Sequence, residues 1–168
     1  NTNTNIDLTI NLEEKTEAPI PPSLEQYLAE DGILLNHRDP SSSAVGLISF
    51  PEGPMLIASR PIVTSAQEGP IRGTVVFGRY LDTAAIERLS RTTLFTLSAR
   101  PISDGELPAD YQTALASLSK GTPVVVEPLS SNNIGGYTLL TDIYGNPALV
   151  LRAEMPRGVY QRGRTTEV

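Results

Sequence analysis

Arg60, Arg72 and Arg79 interrupt two otherwise apolar runs, Pro54–Thr64 and Ile71–Leu81. A guanidinium in such a setting reaches solvent, pairs with an acid or grips a ligand, because burying it alone is costly. Its planar fork matches a carboxylate or a phosphate. Asp82, Asp142 and Glu154 are the acids that would make these arginines structural. The binding reading takes Arg60 and Arg79, with Tyr80 or Tyr137 in reach, as the contacts for a small polar or anionic ligand. Tyr137 also reads as core. Pro61 follows Arg60 and has no N–H to give a ladder, so the strand is an edge there or carries a bulge that re-aims Arg60.

Other chemistry finds little support. His37 is the only imidazole and the chain has no cysteine, which leaves no histidine-rich or thiolate metal site and no cofactor signature. In the polar stretch LLNHRDP, with no nucleophile elbow, His37 reads as a surface histidine. The pairs Glu13-Glu14 and Glu30-Asp31, with Glu106, fall in presumed loops or helix ends and need no catalytic role. Asn133-Ile134-Gly135-Gly136 lacks the strand–loop–helix setting of a phosphate cradle and reads as a turn before a strand. The basic stretch with Arg152, Arg157, Arg162 and Arg164 reads as a solvated helix face. A net charge of −6 and a pI near 4.8 speak against a nucleic-acid partner.

These groups need a frame. At 168 residues the chain suits one domain that buries about 70% of its unfolded surface. Fourteen prolines and thirteen glycines, spread along it, favour many short elements over a helical bundle. The expected order is a strand at 6–12, a helix at 23–30, strands at 45–50, 54–64 and 70–81, a helix at 83–91, and a strand at 94–99. A second helix follows at 108–119, then strands at 123–129, 136–144 and 148–155, and a tail helix at 157–168. Asp82 should cap the first long helix, with Ile86 and Leu89 inward; Tyr111, Leu115 and Leu118 should form the stripe of the second. Apolar residues on both faces of the central hairpin predict a sheet covered on both sides. This order means α+β, with a PAS-like or Cache-like central antiparallel sheet and helices across one face.

The hairpin region also carries a resemblance. Gly46-Leu47, Pro51-Glu52-Gly53-Pro54, Ala58-Ser59-Arg60-Pro61-Ile62, Ser65, Gly69-Pro70-Ile71-Arg72-Gly73 and Gly78-Arg79-Tyr80-Leu81-Asp82 occur as one ordered block. The block resembles the CHASE sensor domain of the fourth type. The resemblance implies a non-catalytic extracellular or periplasmic module of a membrane-anchored histidine kinase or diguanylate cyclase, with homodimerisation possible. One departure is that the family's opening helix, with a Trp-Asp-Asp type motif, has no counterpart in a chain without tryptophan. No apolar run approaches the roughly 18 residues of a spanning helix. Together with the start NTNTNID and the stop at TTEV, this reads as an excised ectodomain. The alternatives are a soluble hydrolase and a dimerising protein-interaction module without a small-molecule ligand.

Overall fold

The computed structural model describes residues 10–11, 14–17, 19–28, 32–93, 95–103 and 105–158. The chain opens with two short strands, β1 (Ile10–Asn11) and β2 (Thr16–Glu17), paired antiparallel, and a single helical turn, α1 (Pro22–Glu25). Strands β3 (Ala44–Phe50), β4 (Gly53–Ile62) and β5 (Gly73–Tyr80) follow, then helix α2 (Thr83–Thr93) and strand β6 (Thr96–Pro101). Helix α3 (Ala109–Leu118) leads to β7 (Val125–Pro128), β8 (Asn133–Thr141) and β9 (Pro147–Pro156). The α+β class with antiparallel sheets holds, but the strands are divided over a two-stranded sheet, a three-stranded sheet β3-β4-β5 and a four-stranded sheet β6-β9-β8-β7. The rest of the strand expected at 6–12, and the tail expected as a helix, lie partly or wholly outside the described residues.

Contacts divide the chain into two compact units, Asn1–Gly46 with Leu56–Arg79, and Leu47–Met55 with Tyr80–Val168. In the first, β4 alternates strictly: Ile57, Ser59 and Pro61 are buried, and Leu56, Arg60 and Ile62 are exposed. Strands β4 and β5 run antiparallel, with Arg72 N–H donating to the Ile62 carbonyl and Leu81 N–H to that of Pro54. The two bonds differ by one residue in register. β4 is the middle strand of its sheet, so Pro61 sits beside an edge on neither side, and it is accommodated as the strand's penultimate residue.

In the second unit, consecutive residues of β9 feed two cores. Leu149 is buried with Leu47, Leu81, Ala148 and the α2 residues Ala85 and Ile86, whereas Val150 is buried with Tyr137 and the α3 residues Tyr111, Ala114 and Leu118. Side chains alternate across a strand, so α2 and α3 cover opposite faces of the four-stranded sheet. This corrects the expectation of helices across one face. The Asp82 cap is real: its Oδ1 accepts from Ala85 N–H at 2.7 Å. Leu89, expected inward, is exposed, and Ala85 and Ile86 are the buried residues of α2.

Candidate functional site

Sheet register sets one polar row beneath α3. Ser98 on β6 is opposite Arg152 on β9, which is opposite Tyr137 on β8, which is opposite Val125 on β7. Opposed residues share a face, so three polar side chains stand side by side under the helix. From the first turn of α3, Asp110 Oδ2 accepts both the Tyr137 hydroxyl at 2.7 Å and Arg152 Nη1–H at 2.9 Å. Arg152 Cζ lies 5.3 Å from the centroid of the Tyr111 ring, and the Tyr111 hydroxyl is 2.6 Å from Ser98 Oγ. The Tyr111 and Tyr137 rings meet edge to face at 5.5 Å. Glu154 stands 3.9 Å from Arg152 Nη2 and accepts from Asn133 Nδ2 at 2.8 Å. Arg152 Nε is buried without a hydrogen-bond partner among the described residues.

The charges act on one another. Burial raises the Asp110 pKa, but the hydrogen bonds from Tyr137 and Arg152 and the Arg152 charge outweigh it and hold the carboxyl below its ordinary value. Burial first, then the bond to Asp110, pushes Tyr137 well above the ordinary phenol range. Burial opposes the Arg152 charge, and Tyr111, Asp110 and Tyr137 overcome it. An acid, a phenol and a guanidinium that satisfy one another form a latch between helix and sheet. No nucleophile is activated here, and among the described residues no group of three His, Cys, Asp or Glu side chains is placed to hold a metal.

The four residues expected to bind a ligand are placed differently from one another. Tyr137 is fully buried in this latch, with its hydroxyl committed to Asp110. Tyr80 ends β5, half-buried; burial and then the Glu52 charge raise its pKa. Arg60 and Arg79 are exposed, and neither they nor Arg72 form an ion pair among the described residues. Glu154, one of the acids expected to pair with them, faces Arg152 instead. A Cβ built on Gly73 would lie 3.6 Å from Ile62 Cδ1, which places Gly73 on the open face of β4. By period two Val75, Phe77 and Arg79 join Leu56, Arg60 and Ile62 there. That face is open where cover was expected: Leu56 is 42% exposed, Ile62 47%, Val75 37% and Phe77 55%.

His37, expected at the surface, is half-buried. Its Nε2 lies 2.7 Å from Ser59 Oγ and its Nδ1 2.9 Å from Ser42 Oγ. Ser59 faces inward on β4 and donates to the Leu34 carbonyl, which draws the imidazole down onto the strand.

Comparison with known proteins gives this frame a family. The model of the CHASE4 domain matches residues 2–104, from before β1 to beyond β6. The chain belongs to the CHASE4 family. A relative described as "Methanogenesis regulatory histidine kinase FilI", from Methanothrix harundinacea (strain 6Ac), is 35% identical over 153 residues. That alignment covers 89% of this chain and 16% of the relative, so the chain spans about a sixth of that protein's length. No solved structure matches. The CHASE4 match includes the open β4–β5 face and α2 but ends before α3 and its latch. As a CHASE4 domain, the chain is a sensory module of signalling proteins, and among the described residues no helix is long and apolar enough to cross a membrane.

Proposed function

We propose that this CHASE4 domain is the extracellular or periplasmic sensor of a membrane-anchored receptor with a histidine kinase or diguanylate cyclase output. The observation that carries the reading is the alignment of 89% of the chain with a histidine kinase. The stimulus carries an anionic group, and Arg60 and Arg79 receive it. Both guanidinium groups are exposed and without an acidic partner among the described residues, so an arriving carboxylate or phosphate meets no competitor. Tyr80, next to Arg79 on the same strand, alternates to the other face and stands apart from the two arginines, while Tyr137 serves by fixing α3.

The test uses the natural receptor in membrane vesicles, with autophosphorylation or cyclic dinucleotide synthesis as readout. Removing residues 10–158 should abolish the response to stimulus and leave basal output. Arg60→Gln with Arg79→Gln should weaken the response at least about tenfold, the loss expected for two charge-assisted contacts. An unchanged response in the deletion would overturn the sensory role. An unchanged response in the double variant would overturn the arginine site. Sidedness is read separately: Ser131→Cys, in an exposed loop of a chain with no cysteine of its own, should label with a membrane-impermeant maleimide in intact cells.

A further inference from the structure

The open face of β3-β4-β5 has the composition of an interface. Neither β4 nor β5 contains Asp, Glu or Lys, and their charges are Arg60 and Arg79 among exposed Leu56, Ile62, Val75 and Phe77. Interface centres favour aromatic residues and arginine and are poor in lysine and acids. Strand β5 is an edge among the described residues and carries none of the lysines or prolines that usually protect one.

Resting on the anionic-stimulus reading above, we infer that the anionic group is delivered on a protein: an amphipathic helix of a partner polypeptide, with two acidic side chains about three turns apart, docks across this face. Exposure decides against a small molecule, and spacing fits a helix. The hydrogen bonds Arg72–Ile62 and Leu81–Pro54 place Arg60 opposite residue 74 or 75, four to five positions from Arg79 along β5. At about 3.3 Å per residue the two side chains are anchored roughly 13–17 Å apart. A small-ligand site would bury most of its occupant, which these exposed residues do not. In a helix, positions about eleven residues apart return to one face and lie about 16 Å apart. Three strands also span about 10 Å, the diameter of one helix.

Charge decides among larger occupants. A second copy docked by the same face would bring no acid from β4 or β5 to meet the arginines. An anionic bilayer would meet a chain of net charge −6 through two cations worth about 1 kcal/mol each.

The probe is a synthetic helical peptide of about eighteen residues, long enough to form in part. It has a leucine and alanine stripe and two glutamates about three turns apart. Binding to the 168-residue chain is followed by fluorescence anisotropy. The acidic peptide should bind at least about tenfold tighter than its glutamine version, and than one with the glutamates on adjacent turns. Arg60→Gln with Arg79→Gln should remove that preference, while Arg88→Glu on α2 keeps it. The glutamine peptide leaves the protein untouched, so the comparison does not depend on the variants folding. Equal binding of the three peptides, or none, overturns the inference. So does a concentration-dependent dimer lost on Phe77→Ser, or binding to phosphatidylglycerol vesicles that depends on Arg60 and Arg79. Succinate separates the two readings. Succinate binding through the arginines without peptide binding overturns only the helix, and binding of neither overturns the anionic stimulus as well.

Discussion

Asp110 satisfies two donors through one oxygen, and its titration should show it. Its folded pKa lies below the unfolded value near 4, so its contribution is complete above about pH 4 and lost as pH falls through the folded value. Tyr137 moves the other way: its folded pKa is raised, so stability is complete below about pH 10 and declines as pH rises toward the folded value. Tyr137→Phe should therefore flatten the alkaline decline and part of the acid one, as read by urea unfolding across the pH range. An alkaline decline identical to that of the parent would show that Tyr137 is not held neutral by the fold. Arg152→Met should cost about 1–3 kcal/mol, since it leaves Asp110 without its cation in a site only partly open to water. The rule that reveals Arg152, an arginine within an apolar strand, is legible in ALVLRAEM. Among the basic residues that follow, however, Arg152 reads as part of a charged stretch. Only the β8–β9 register sets it beside Tyr137, and pairing across strands is not written in local sequence. His37 was hidden for the same reason, because its partner Ser59 is 22 positions away.

At the scale of elements, β3, β4, β5, α2, α3 and β9 were legible, because period-two and period-3.6 patterns, the Asp82 cap and the Pro108 start are local signals. The start of β8 was not. Asn133-Ile134-Gly135-Gly136 reads as a turn, yet all four residues lie in the strand. The Tyr137 ring lies back over Gly135, so a Cβ there would meet Tyr137 Cε2 at 3.0 Å, its hydroxyl at 3.1 Å and Leu129 Cδ1 at 3.2 Å. Glycine makes room for the aromatic ring. Gly135→Ala should cost about 1–3 kcal/mol by overpacking a side chain that is held on every side. Alanine at Gly105, where an added Cβ meets nothing within 4 Å, should change stability by less than about 0.5 kcal/mol. Similar melting temperatures for the two variants would show that the ring can give way. Asp82→Ala should cost about 1 kcal/mol through the lost cap of α2. The number of sheets was not legible either. Strand patterns identify faces but not which strand ends one sheet and begins another.

At the scale of the whole molecule, sequence gave the family through one contiguous block, while the route by which a sensor passes its signal onward depends on how the chain leaves the fold. Strand β9 is an inner strand of the four-stranded sheet, hydrogen-bonded to β6 and β8 along most of its length. Just past its end, Arg157 N–H donates to the Asn132 carbonyl at 2.7 Å, so the exit is fixed on the sheet. The same strand carries Arg152, and through it the α3 latch, so a displacement of α3 or of the sheet reaches the exit along one continuous backbone. In a receptor whose output module follows this domain, that rigidity makes the exit a lever. Two glycines inserted after Arg157 preserve the Asn132 anchor but add four freely rotating dihedrals immediately beyond it. The insertion should leave the melting temperature of the 168-residue chain unchanged and uncouple stimulus from kinase or cyclase output in the full receptor. Two alanines at the same place are the control, since they change length by the same amount and add less freedom. Uncoupling by the glycines alone identifies stiffness as the transmitted property, whereas equal effects identify length or phase. A normal response from both would place transmission on a path that does not use the end of β9.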